Sequence, residues 1–333
     1  MPIKTYREAI NEALLQEMKK DENVVVIGED VAGGAGTNGE QDAWGGVLGV
    51  TKGLLKHFGR ERIIDTPITE TAIMGMASGA ALTGLRPVAE LMFVDFMGVC
   101  FDQILNQTAK FRYMFGGKAV TPLTIRTMYG GGLRAASQHS QCLYPMFTHV
   151  PGIKVVLPSN PYDAKGLLIQ SIRDNDPVIF MEHKNLYDTS GNVPDESYSI
   201  PFGEANFTRE GKDITFIAMG QTVDICNNVA DTLKKEGKTS TVLDLRTLSP
   251  LDEDSILEAA EETGKIVIVD ESYPRCNVAT DISALICQKS FNSLKAGIKM
   301  VTPPHTPVPF SPPLEDLYLP SEEKVLNVAK EII

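Results

Sequence analysis

The sequence is short of positive charge. Its 31 Lys and Arg face 43 Asp and Glu, a net charge of −12. That balance argues against nucleic acid and anionic membrane surfaces as partners. It leaves an anionic substrate open, because a local field can oppose the global one. Cysteine is also sparse. Cys100, Cys142, Cys226, Cys276 and Cys287 are scattered, odd in number and never in a C-x-x-C pair. This usage fits buried thiols in a reducing, cytoplasmic compartment rather than a disulfide framework. The longest uncharged, apolar-looking run, residues 71–85, is too short for a bilayer, which needs about 20 residues. Residues 1–8 carry no apolar core of a secretory signal. No G-x-x-x-x-G-K-[ST] loop, short repeat or low-complexity tract occurs.

What is present is an ordinary globular composition, 43% hydrophobic and 22% charged. At roughly 150 residues per domain, 333 residues suggest about two domains. Apolar runs at residues 23–27, 62–64, 87–93, 122–126, 153–157 and 178–181 read as buried strands. Helical patterns lie between them at 6–20, 70–85, 96–111 and 161–174, the last with Asn160 as N-cap and Pro161 at the first helical position. Such alternation predicts an α/β fold: a parallel sheet with helices on both faces. A polar, turn-rich stretch, 186–203, reads as a linker. The pattern then restarts, with strands at 214–218, 241–245, 265–269 and 298–301 and helices at 222–235, 252–263 and 278–289. A proline-rich segment, 303–313, leads to a short C-terminal helix. The expected domains are therefore 1–185 and 204–333.

Gly34, Gly36 and Gly39 spell G-x-G-x-x-G. A dinucleotide site needs that turn directly at a strand end, opening a helix. Here Gly28-Glu29-Asp30-Val31 intervenes and no helix follows, so the segment reads as a long loop over an active site. Glu70 follows a strand and a proline turn, at the start of a helix rich in small residues. Ligands gather at the carboxyl ends of strands in such folds. On position alone, however, an acid complementing the helix dipole is the better reading. Glu29 ends the first strand in an equivalent place, so the two carboxylates could repel, raise one pKa and share a proton. His139 sits in a small, polar loop after a strand, where an imidazole can exchange protons near neutrality. His57 and His149 look structural. His139 and Cys142 form an H-x-x-C fragment with no second pair, too little for a metal site.

Several of these segments together resemble a known family. They are Gly28-Glu29-Asp30-Val31, the run from Arg62 to Glu70, Phe101-Asp102-Gln103-Ile104 and Gln138-His139-Ser140-Gln141. The stretches Pro151 to Val156, Asp163 to Leu168 and Asp244 to Asp252 extend the match. They are similar to the β subunit of the thiamine-diphosphate-dependent component of 2-oxo acid dehydrogenase complexes. The runs from Thr66 to Ala72 and from Val308 to Pro312 look most similar to acetoin dehydrogenase β subunits, with pyruvate and branched-chain relatives close behind.

The resemblance implies a transketolase-like pyrimidine-binding domain followed by a transketolase C-terminal domain. It overturns the bland reading of Glu70, which matches the glutamate that hydrogen-bonds a ring nitrogen of the cofactor's aminopyrimidine. Proton sharing there favours the imino tautomer, whose nitrogen removes the thiazolium carbon proton so that this carbon can attack the substrate carbonyl. Phe96 matches an aromatic that packs on the pyrimidine, and Met92 a cofactor-side position where relatives can carry a polar residue. Glu29 matches an acid reaching into the cofactor region, on a possible proton path between paired sites, and His139 a histidine that handles protons on substrate and intermediates. Leu123, Ser171, Ile172, Asp174 and Asp176 match positions holding potassium, mostly through backbone carbonyls, although others often have Asn in the place of Asp176.

The magnesium–diphosphate motif of such enzymes begins Gly-Asp-Gly and ends in paired Asn. No Gly-Asp-Gly occurs here, and the only Asn pair, Asn227-Asn228, lies in a C-terminal-domain helix. The resemblance thus implies magnesium and diphosphate on an α subunit, an α2β2 heterotetramer and a lipoyl acyltransferase partner. The expected reaction is cleavage of acetoin to acetaldehyde and an acetyl group passed to lipoamide. The alternatives are a pyruvate or branched-chain 2-oxo acid dehydrogenase, a non-catalytic scaffold subunit, and a self-sufficient transketolase-like enzyme.

Overall fold

Two largely parallel sheets share one apolar interior in the computed structural model, which describes residues 1–33 and 45–333. The G-x-G-x-x-G run expected as a covering loop lies outside the described residues. The larger sheet has seven strands in the order Thr247–Ser249, Lys154–Val156, Val178–His183, Thr124–Tyr129, Arg86–Phe93, Val24–Gly28 and Ile63–Asp65. All its pairings are parallel except the first, an antiparallel edge.

Its strands are apolar on both faces, as a covered parallel sheet requires. Val24, Val26, Val88, Val178 and Phe180 pack on one side with Ile10, Leu14 and Leu168 of the helices Tyr6–Lys20 and Pro161–Arg173. Ile27, Ala89, Leu91, Ile125 and Ile179 pack on the other with Ile73, Met74 and Ala77 of the helix Glu70–Leu82. The second sheet has five strands in the order Lys299–Val301, Ile266–Val269, Ile214–Ala218, Ser240–Asp244 and Asn206–Arg209, the last antiparallel. Its Ile217, Leu243 and Ile268 belong to the same apolar cluster as Ile125 and Ile179, so the two units are packed together. No described helix is long and apolar enough to cross a membrane.

The structure departs from the sequence reading in three places. The helix expected over 70–85 ends at Leu82, where Gly84 turns left-handed (φ +104°) and the Leu85 N–H bonds back to the Ala80 carbonyl. The helix expected over 96–111 is broken into a 3₁₀ turn Val94–Phe96, helix Met97–Asp102, π-turn Gln103–Thr108 and short helix Phe111–Met114. Thr108 Oγ1 donates to the Gln103 carbonyl at 2.8 Å and meets Ser78 Oγ of the neighbouring helix. A side chain thus takes part in the helical ladder and shifts its register. The third place is the polar stretch 186–203, which is not a free tether. Ser190–Asn192 pairs with Ile3–Thr5, Val193 is buried, and Tyr198 and Ile200 fill the space that Gly166 leaves open.

Candidate active site

The carboxyl ends of the larger sheet's strands feed one edge of the molecule. Val24–Gly28 runs into Glu29, and Ile63–Asp65 into the turn before Glu70. Arg86–Phe93 runs into Val94–Phe96, and Thr124–Tyr129 into the loop that carries His139. Glu29, Glu70, Phe96 and His139 all lie on this edge.

Glu29 is half-buried. Its carboxyl is raised above the ordinary range, first by burial and then by the negative charges of Asp30 and Glu70. A raised carboxyl holds a proton more readily. Glu70 opens its helix, and Thr69 in the cap position gives the helix no side-chain bond. Ile68 beside it is 73% exposed.

His139 is held by rings. Its imidazole meets Phe93 edge-on at 5.1 Å and Phe96 at 5.5 Å, and the two phenyl rings meet each other at 5.7 Å. Edge-to-face contacts of this kind favour one ring orientation. Two residues on, the Gln141 side-chain amide and backbone N–H both donate to Asp95 Oδ1, at 2.9 and 3.2 Å.

The loop before His139 is tied down from far away in sequence. The Gly131 N–H donates to Glu271 Oε1 and the Gly132 N–H to Glu315 Oε1, each at 2.7 Å. Arg134 completes the second tie through Glu315 Oε2 at 2.9 Å and Asp316 at 2.6 Å. His183 Nε2 lies 2.9 Å from the other Glu271 oxygen. Burial would raise the Glu271 carboxyl, but His183 and the Gly131 N–H hold it below its ordinary value. Lys184, almost wholly buried, donates to the His139 carbonyl and lies 5.5 Å over the Phe93 ring. Sequence reasoning missed Phe93, Asp95, Lys184, Glu271 and Glu315. The available signal was the charged run Glu182-His183-Lys184 at the end of an otherwise apolar strand.

Met92 stands apart from the ring cluster. It lines a small internal cavity with Glu90, Arg126 and Glu182. There Arg126 grips Glu182 in two bonds, at 2.6 and 2.8 Å, and Glu90 in one at 2.9 Å.

Ser171, Ile172, Asp174 and Asp176 gather where the helix Pro161–Arg173 ends, and Leu123 bonds the strand start beside them through Val178. Cationic side chains already engage this turn. Arg86 donates to the Ile172 and Asp174 carbonyls at 3.1 and 2.9 Å, Lys154 pairs with Asp174 at 2.8 Å, and Arg112 pairs with Asp176. A monovalent cation here would share these carbonyls with a guanidinium.

The carboxylates and aromatic edge suit a flat, heteroaromatic amine that needs a proton partner. Among the described residues, no group of three His, Cys, Asp or Glu stands together as for a metal ion.

Comparison with known proteins matches residues 4–189 to the pyrimidine-binding domain of transketolase and residues 203–325 to the transketolase C-terminal domain. The chain is 63% identical to the β subunit of acetoin:2,6-dichlorophenolindophenol oxidoreductase from Cupriavidus necator, covering 97% of this chain and 95% of that one. It is 58% identical to the Bacillus subtilis subunit of the same name, over 98% and 96%. The β subunit of the pyruvate dehydrogenase E1 component of Bacillus subtilis is 43% identical, over 99% and 98%. Among solved structures, a split-gene transketolase described as an inactive beta4 tetramer superposes with a TM-score of 0.78 at 19% identity, covering 98% of this chain and 97% of that one. That likeness concerns the fold.

Proposed function

The chain belongs to the family of transketolase-like β subunits of thiamine-diphosphate-dependent dehydrogenase components, and from that premise we propose that it serves an acetoin dehydrogenase. The reaction is cleavage of acetoin to acetaldehyde and an acetyl group passed to lipoamide. The observation that carries this substrate is the identity gap: the acetoin-named relatives are far more similar than the pyruvate-named one.

When bound, thiamine diphosphate supplies a carbon nucleophile for the substrate carbonyl and an electron sink for carbon–carbon cleavage. This chain's residues do the proton work around it. Glu70 holds a proton at the aminopyrimidine ring nitrogen. Phe96 would pack on the pyrimidine, and Met92 would contribute to the cofactor side of the site. Glu29, its carboxyl raised by burial and by the charges of Asp30 and Glu70, lies on a proton path between paired sites. His139, oriented by Phe93 and Phe96, gives and takes protons at the substrate oxygens.

The proposal assigns magnesium and the diphosphate to an α subunit in an α2β2 heterotetramer, with a lipoyl acyltransferase as the next partner. It assigns residues 1–185 to the pyrimidine-binding unit, 186–203 to the connection and 204–333 to the C-terminal unit. The change of sheet between Val178–His183 and Asn206–Arg209 supports that division. A cytoplasmic location is supported by five free thiols, of which Cys276 and Cys287 are exposed rather than buried as expected. Potassium at the turn 171–176 is part of the proposal, shared with Arg86.

The test is an assay of the reconstituted αβ enzyme with acetoin and with pyruvate, using dichlorophenolindophenol as electron acceptor. Higher kcat/KM on acetoin is expected. Higher kcat/KM on pyruvate would move the chain to the pyruvate dehydrogenases.

A further inference from the structure

One strand end holds the His139 loop at three points. His183 ends the buried strand Val178–His183, and Lys184 and Asn185 follow it directly. His183 bonds Glu271, which receives the Gly131 N–H. Asn185 lies so close under Gly132 that a Cβ there would stand 2.1 Å from its Nδ2. Lys184 reaches the far end of the loop and donates to the carbonyl of His139 itself.

Lys184 is an unusual choice for this place. The side chain is 3% exposed, and burial depresses its pKa even though Asp95, Cys142, Glu271 and Glu315 oppose the depression. A buried ammonium is costly and persists where specific partners compensate it. Its direct contacts converge on His139: that residue's carbonyl accepts the ammonium's hydrogen bond, and the Phe93 ring under the ammonium also meets the imidazole. The loop needs such a fixing point, because Arg134 and Ala136 both adopt left-handed backbone (φ +57° and +62°), a conformation that side-chain-bearing residues rarely adopt.

We propose that Lys184 is a positioning residue for the reaction: it fixes the backbone of His139 and the Phe93 ring so that the imidazole is presented in one orientation to the substrate. This inference rests on the reading of His139 as the proton-handling group. On this reading Lys184 contacts neither substrate nor cofactor. It acts through the carbonyl and the ring.

The experiment uses the reconstituted αβ enzyme with four β chains: wild type, Lys184→Met, His139→Ala and the double variant. Lys184→Met keeps the aliphatic stem and removes the donor. A misplacement on the order of 1 Å costs about 100-fold at worst, so a fall in kcat of about 10- to 100-fold is expected, with KM changed less than about 3-fold. In the His139→Ala background the same substitution should cost less than about 2-fold, because there is no imidazole left to orient. Peptides over residues 130–141 should exchange amide hydrogen faster in Lys184→Met, with the rest of the complex unchanged. Equal losses in both backgrounds would reduce Lys184 to a structural role and overturn the proposal, as would wild-type kcat in Lys184→Met. Full activity in His139→Ala would instead overturn the underlying reading of His139. If Lys184→Met fails to assemble, Lys184→Gln carries the same comparison, since its amide is uncharged and too short to reach the carbonyl.

Discussion

Asp244→Asn should stabilise the protein at alkaline pH and leave it unchanged in acid. Asp244 ends the strand Ser240–Asp244 where the two units meet, and it is fully buried. Ser159 Oγ donates to one carboxyl oxygen and the Arg246 N–H to the other at 3.1 Å. The Arg246 guanidinium is turned away and grips Asp163 in two bonds, at 2.7 and 3.0 Å. Burial, and then the charge of Asp163, push the Asp244 carboxyl up from 3.8 to about 7, against the opposing effect of Ser159 and Arg246.

The raised value means that the fold prefers the protonated acid. Its contribution is complete below the unfolded pKa and is lost as pH rises through about 7. A shift of about three units at about 1.4 kcal/mol each gives roughly 4 kcal/mol lost by pH 8.5. An asparagine amide mimics the protonated acid at every pH. Urea unfolding of wild type and variant, at intervals from pH 4 to pH 8.5, reads the difference. Glu90 and Asp270, also raised by burial, add a background slope of the same sign, so the difference between the two proteins is what counts. The variant should gain several kcal/mol on wild type across this window. Parallel curves, or a variant less stable at pH 8.5, would refute the reasoning.

Other predictions rest on separate features. Arg126→Met leaves Glu90 and Glu182 buried without their shared guanidinium and should cost about 3–5 kcal/mol in urea unfolding, whereas replacing all three by apolar residues should recover most of it. Gly132→Ala, at φ +97° and against Asn185, should loosen the His139 loop; kcat should fall while the melting temperature moves little, and a wild-type kcat would count against the tie. Exchanging potassium for choline chloride should lower the melting temperature if a cation shares the 171–176 turn with Arg86. An unchanged melting temperature would leave Arg86 as the only cation on the Ile172 and Asp174 carbonyls.

Much of this architecture was legible because local rules and tertiary structure agree. The parallel strands are apolar on both faces, and Asn160 caps the helix Pro161–Arg173 by accepting from the Asp163 N–H at 2.9 Å. The strands Ser190–Asn192 and Thr247–Ser249 were not legible. They are short and partly polar, and only a partner strand defines them. The break in the helix after Asp102 depends on a Thr108 hydroxyl that meets Ser78 on another helix, which no window of neighbouring residues contains. The same holds at the site. Glu29 and His139 drew notice by their places at strand ends, whereas position alone favoured a helix-dipole role for Glu70 and only the family resemblance pointed to the cofactor. Glu271 and Glu315 reach the His139 loop from 140 and 183 residues away, and nothing local to them marks that contact.

The central claim is that this chain supplies the activating carboxylate of a shared site and needs an α subunit to do so. The direct measurement is exchange of the thiazolium carbon proton of thiamine diphosphate, followed by NMR after quenching. Three samples decide it: the chain alone, the chain with its α subunit, and Glu70→Ala with α. Fast exchange in the second sample only is the predicted result. Fast exchange in the isolated chain, or in the assembled Glu70→Ala complex, would contradict it.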